Sequence, residues 1–186
     1  PVTFPKDESQ LPRPQQPGAG LPNGQPFSIA YSEGATVGYK WYDANKLEPL
    51  FPFGHALSYT DFDYSRIRAD LDPAGDVTVT FSVKNDGRTA GKDVPQIYVS
   101  APDGAGWEAP KRLGAFQKVN LAPGQETALT VTIDPRLLAV YSSAGEGGWR
   151  IAPGEYKVML GVSSRDIRQT TTIRLPERWL PVGYRR

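Results

Sequence analysis

The sequence predicts a mainly β protein built as an antiparallel β-sandwich, and three observations carry that prediction. From Phe62 onward, short segments alternate apolar and polar residues with period 2. Between them sit clusters of Gly, Pro, Asn and Asp, the residues that tight turns require. Seven such segments in about 115 residues make two packed sheets, each with one buried and one wet face.

The elements follow in order. Residues 1–28 are crowded with Pro, Gly and Gln, and Pro12, Pro14 and Pro17 remove backbone donors and fix φ. An extended or irregular segment is expected there. Residues 27–62 are rich in aromatic residues without a sustained period. Val37, Tyr39 and Trp41 alternate with Gly38 and Lys40, which predicts one short strand. The stretch Leu50 to Tyr59 is too apolar to leave in water and too proline-containing to be a strand, so it is expected to pack into a cleft between larger bodies.

The first sandwich strand is expected around Phe62–Leu71. The second puts Val77, Val79, Phe81 and Val83 on one face and Thr78, Thr80, Ser82 and Lys84 on the other, ended by the turn Asn85-Asp86-Gly87. A third centres on Ile97 and Val99. A fourth runs from Arg112 towards the turn at Pro123-Gly124. A fifth alternates through Leu129, Val131 and Ile133, and a sixth through Tyr156, Val158, Leu160 and Val162. The last carries Ile167 and Ile173 as core candidates. With no cysteine pair between sheets, the fibronectin-like version is favoured over the antibody-like one.

Composition narrows the function classes. There are 21 basic and 20 acidic residues, so no charge excess points to nucleic acid. No cysteine is present, which removes thiolate metal sites and disulfides, and the single His55 cannot build an imidazole cluster. No cofactor is expected. No apolar run approaches the roughly 20 residues of a membrane span, and the first residues lack the pattern of a signal peptide.

Two long motifs carry a resemblance. The segment from Tyr31 to Asp43 (YSEGATVGYKWYD) and the segment from Pro49 to Thr60 (PLFPFGHALSYT) are similar to the C-terminal region of glycoside hydrolase family 3. The sandwich resembles that family's fibronectin type III-like domain at residues 83–91, 94–99, 110–116 and 152–156. Pro1 to Pro5 is similar to the end of the preceding α/β sandwich domain. Departures are small: Ala56 replaces a usual Gly, and Lys40-Trp41 stands where arginine and an aromatic are usual.

The resemblance implies residues 1–60 as the tail of the α/β sandwich domain plus an aromatic-rich linker, 61–176 as the fibronectin type III-like sandwich, and 177–186 as a C-terminal tail. It implies a retaining, exo-acting β-glycosidase whose substrate is a β-linked glucoside or xyloside, working through two carboxylates about 5–5.5 Å apart. Both carboxylates belong to parts of the family that precede these motifs, so no catalytic residue is expected in this chain. The upstream barrel and α/β sandwich domains become its expected partners, a homodimer stays open, and a periplasmic or secreted location is expected.

Several residues invite functional readings. Glu33 and Asp43 are a tempting carboxylate pair, but a loop ion pair or a cap is favoured. His55 is expected to be a structural histidine bonded across a domain seam. Trp41 and Tyr42 suit either sugar stacking or interdomain packing. Trp107, in the glycine-rich PDGAGWEAPK connection, is read either as a ring folded over the sandwich edge or as a substrate-binding loop tip. Trp179 is expected to pin the tail. Two function classes compete: a structural, cleft-shaping portion of a glycosidase, and a freestanding carbohydrate- or protein-binding module. The aromatic segment favours the first, because an isolated sandwich has no need of it.

Overall fold

The computed structural model describes residues 2–13, 30–144 and 147–184 of the 186. The proline-rich residues 14–29, for which an irregular segment is expected, lie outside the described residues. The remainder is mainly antiparallel sheet.

Two sheets form the sandwich. One has the order β1 (Phe62–Leu71), β2 (Val77–Asn85), β7 (Glu126–Thr132). The other has the order β11 (Ile167–Leu175), β10 (Gly154–Gly161), β4 (Gln96–Ser100), β5 (Arg112–Phe116). These are the seven expected strands. Short elements add to them: β3 (Gly91–Asp93) pairs with β6 (Val119–Leu121), and β8 (Val140–Ser142), β9 (Gly148–Ile151) and β12 (Arg178–Leu180) make a small third sheet.

The core lies where alternation puts it. Val79, Phe81 and Val83 of β2 meet Ile97 and Val99 of β4 and Tyr156, Val158 and Leu160 of β10, all essentially removed from water. Each such side chain contributes about 1.5–3 kcal/mol before chain entropy is subtracted. Tyr156 donates its hydroxyl to the Ala152 carbonyl at 2.9 Å, four residues upstream, the corner bond typical of this sandwich class. Asn85 closes the β2 turn from inside: its amide donates to the Thr89 and Leu121 carbonyls, and its oxygen accepts from Thr60 Oγ1 and the Gly87 N–H. With its donors and acceptor all engaged, the amide offsets the cost of leaving water.

Four expectations need correction. The strand at Val37–Trp41 is instead a helix, α1 (Tyr39–Ala44). Gly38, at φ +57°, turns the chain before extension can begin, and Tyr39, Tyr42 and Asp43 then share a face at i, i+3 and i+4. The helix ends in a Schellman pattern, Leu47 N–H to the Tyr42 carbonyl and Lys46 N–H to the Asp43 carbonyl, with Lys46 at φ +55° where glycine is usual. The expected fourth strand splits into β5 and β6, which join different sheets. Ile173 packs against the core as expected, whereas Ile167 is not part of the core cluster, and both are only partly buried because β11 is an edge strand. At the tail, Leu180 is buried against the core, whereas Trp179 is half exposed.

The face assignment predicts that Val83→Asp, placing an unpaired charge at a fully buried site, destabilises by roughly 3–5 kcal/mol. Thr80→Asp on the outer face should have much less effect. Chemical denaturation of both variants checks this, and equal losses would mean the faces are reversed.

Candidate functional site

The feature that an isolated sandwich does not explain is the outer face of β4. Gln96, Ile97, Tyr98 and Val99 are buried in succession, so this strand is dry on both sides. The inner face is the core. The outer face is roofed by α1 and by the loop that follows it.

Tyr39 brings its ring edge-on to Tyr98 at 5.8 Å between centroids and also packs on Phe53 at 5.4 Å. Its hydroxyl accepts the Leu113 N–H at 2.7 Å, taking the place of a sheet partner. Burial pushes both phenols up, so each stays neutral and free to donate. Tyr98 donates to Gln96 Oε1 at 2.6 Å, and Gln96 Nε2 donates to the Val162 carbonyl at 2.8 Å. The loop settles directly on that amide. A Cβ at Gly54 would lie 2.4 Å from Gln96 Nε2, and φ is +86°, so only glycine fits. Next to it, the Phe53 carbonyl accepts the Ser164 N–H at 2.8 Å.

Charges fix the direction of the helix. Asp43, with a side chain 6% exposed, meets Lys111 Nζ at 2.5 Å and an Arg165 nitrogen at 3.1 Å. Arg165 also donates to the Leu47 carbonyl just past the helix. Lys40 reaches Glu108 at 2.6 Å, and Arg112 grips the same carboxylate. Burial works against the charge on Glu108, but hydrogen bonds from Arg112 and Lys40 outweigh it and hold the carboxyl down at about 2. Four sandwich residues thus clamp a six-residue helix.

The sequence-derived candidates fall as follows. Glu33 and Asp43 do not pair: Glu33 faces Arg13 at 3.8 Å, and Asp43 turns to the sandwich. Neither is arranged as one of two carboxylates flanking a bond. Tyr42 is buried, and Trp41 donates its indole N–H to the Gln10 carbonyl at 2.9 Å. His55 is exposed and stacks on Phe51 at 5.3 Å. Trp107 is not an outward loop tip. Its indole N–H donates to the Leu138 carbonyl at 3.2 Å, its ring meets Tyr156 edge-on, and the Arg112 guanidinium lies 4.2 Å above it. Among the described residues, no group of three or more His, Asp or Glu side chains converges as a metal site would.

Sequence reading missed Tyr98, Glu108, Lys111 and Arg165. The one available signal was the unbroken apolar run Ile97-Tyr98-Val99, the mark of a strand covered on both faces.

Beyond the roof, the loop after α1 and the Phe4 bridged to it leave large apolar side chains in water. Phe4 and Phe51 are bridged through their backbones and are half exposed with Leu50; Leu57 is 91% and Tyr59 99% exposed. Isolated exposed apolar residues are ordinary, but a succession of large ones marks an interaction surface.

Residues 93–164 match the family model of the fibronectin type III-like domain. The thermostable beta-glucosidase B of Acetivibrio thermocellus is 41% identical over 155 residues, which is 82% of this chain and 20% of that protein. Beta-glucosidase BoGH3A of Bacteroides ovatus is 39% identical over 152 residues, 80% of this chain and 20% of that protein. Among solved structures, beta-glucosidase 3B of Thermotoga neapolitana, in complex with alpha-D-glucose, superposes with a TM-score of 0.83 at 36% identity, covering 97% of this chain and 25% of that one. The chain therefore spans about a fifth of the length of the curated relatives it matches.

The Glu108 clamp has a pH signature. A carboxyl whose folded value is depressed stabilises the fold above its ordinary value of 4.5, and that contribution is lost as pH falls through about 2. Glu108→Gln should therefore be less stable than the parent at pH 7, with a gap that narrows steadily below pH of about 5. Thermal melts of both proteins across that range check it; a gap that does not change with pH would contradict the assignment.

Proposed function

We infer that this chain, which belongs to the C-terminal region of the glycoside hydrolase family 3 β-glucosidases and carries their fibronectin type III-like domain, is the buttress of a retaining, exo-acting β-glycosidase. One observation carries the reading. A single segment is clamped to the sandwich on one side and, with the Phe4 bridged to it, offers Leu50, Phe51, Leu57 and Tyr59 to water on the other. Such a surface fits a catalytic body of the same enzyme, the barrel and α/β sandwich domains that the family places upstream.

In this reading the nucleophile and the acid/base carboxylates belong to those upstream domains, and the chain contributes rigidity. A sandwich edge held against the catalytic body keeps the cleft in shape while β-linked glucosides or xylosides turn over in a periplasmic or secreted enzyme. Trp41, Tyr42 and Trp107 serve the assembly of this body, and no sugar contact is assigned to them.

The purified chain should leave p-nitrophenyl β-glucoside untouched, and joining it to its upstream domains should restore hydrolysis. In the joined enzyme, Leu57→Asp with Tyr59→Asp should lower the melting temperature by several degrees and reduce the active fraction, while the melting temperature of the chain alone stays the same. Turnover by the chain alone would overturn the division of labour. An unchanged joined double variant would remove the docking role.

A further inference from the structure

The small third sheet carries an aromatic platform that neither the core nor the roof uses. In β9, Trp149 and Ile151 face the core, so Gly148 and Arg150 face outward; in β12, Leu180 faces the core and Trp179 faces outward. Trp179 pairs directly with Arg150 across the strands. Gly148 lies on the outer row and is nonetheless buried: a Cβ at that glycine would meet the Leu180 carbonyl oxygen at 3.1 Å and the indole atoms Cε3 and Cζ3 of Trp179 at 3.4 and 3.9 Å. The benzo edge of the ring therefore lies beside the Gly148 backbone, and the indole is 49% exposed on the outer face of the sheet.

Polar groups stand next to the indole on the same face of the sheet. Arg150 Nε donates to Glu177 Oε1 at 2.6 Å, so a guanidinium with further N–H groups and a carboxylate are held together beside the ring. A flat aromatic surface on a rigid sheet with paired donors and acceptors at its edge is complementary to one chemical class above others, the pyranose ring. A β-linked glucosyl unit has all its hydroxyls equatorial, so its two faces are C–H surfaces that stack on an aromatic ring while its edge hydroxyls reach charged partners. An apolar partner would leave the Arg150–Glu177 pair desolvated, which disfavours it.

We propose that Trp179, with Arg150 and Glu177, forms a non-catalytic binding site for β-linked gluco-oligosaccharides on the outer face of the β8–β9–β12 sheet. Only the choice of sugar rests on the reading of the whole enzyme as a β-glycosidase. The site itself belongs to this chain and is tested on this chain, independently of whether the docking surface holds upstream domains.

The test is an NMR titration of the 186-residue chain with cellotetraose, following the indole N–H signals of its 4 tryptophans. The Trp179 signal should shift saturably with a dissociation constant in the millimolar range, as expected for roughly one stacked ring and two hydrogen-bonding side chains. Trp179→Ala should abolish saturation, Trp179→Phe should retain most of it, and Arg150→Gln should weaken it roughly three- to tenfold. Absence of a saturable shift in the parent overturns the proposal. So does binding that survives Trp179→Ala, or a shift confined to the other three indoles.

Discussion

Tyr98 points away from the sandwich core and is still completely removed from water. The roof and the surface beyond it depend on that. A central strand of an ordinary two-layer sandwich has one wet face, and a large phenol there would be at least partly hydrated. Here the outer face needs a cover, and the cover is drawn from the residues before β1. Burying Tyr98 and its neighbours contributes only a few kcal/mol by area, but it can be realised in one arrangement alone. Tyr39 has to reach the Leu113 N–H, and Gly54 has to come down on Gln96.

The charged groups around this contact do less for stability than for orientation. Asp43 sits nearly dry between Lys111 and Arg165, and taking such charges from water offsets much of their attraction. Losing Asp43 would take away the carboxylate that Lys111 and Arg165 share, so these residues act as a register. They fix which way six helical residues point and, through them, which side of the following loop meets solvent. That geometry places Leu57 and Tyr59 outward. The supporting body and the surface it presents are thus two sides of one segment, and the platform at Trp179 lies on a different sheet, built without either.

Much of this was legible in the sequence. Period-2 alternation placed the seven sandwich strands, because each buries one face and turn residues separate them. The α1 segment misled because Val37, Tyr39 and Trp41 alternate by accident of spacing. What decided its conformation was a positive-φ Gly38 and the distant partners Leu113 and Lys111, which no local pattern encodes. Trp107 is ambiguous for a similar reason: glycines beside it suggest an exposed tip, whereas the Leu138 carbonyl and Arg112 that hold it inward come from a distant part of the chain and from β5. Trp179 was read as a pin because tryptophan usually buries. Leu180 takes that position, and the strand's alternation turns Trp179 out.

With Tyr39, Asp43 and Gly54 all tied to the sandwich, α1 and the sandwich should open as one cooperative unit, and native-state hydrogen exchange tests this most directly. The Leu113 N–H donates to Tyr39 Oη, and the Leu47 N–H closes the helix end, so both report departure of the helix. Their exchange free energies should match those of core amides such as Val158 in β10 to within about 1 kcal/mol, with the same denaturant dependence. Leu113 and Leu47 exchanging at nearly unprotected rates while Val158 stays protected would show a helix that merely rests on the sandwich, and would contradict the account.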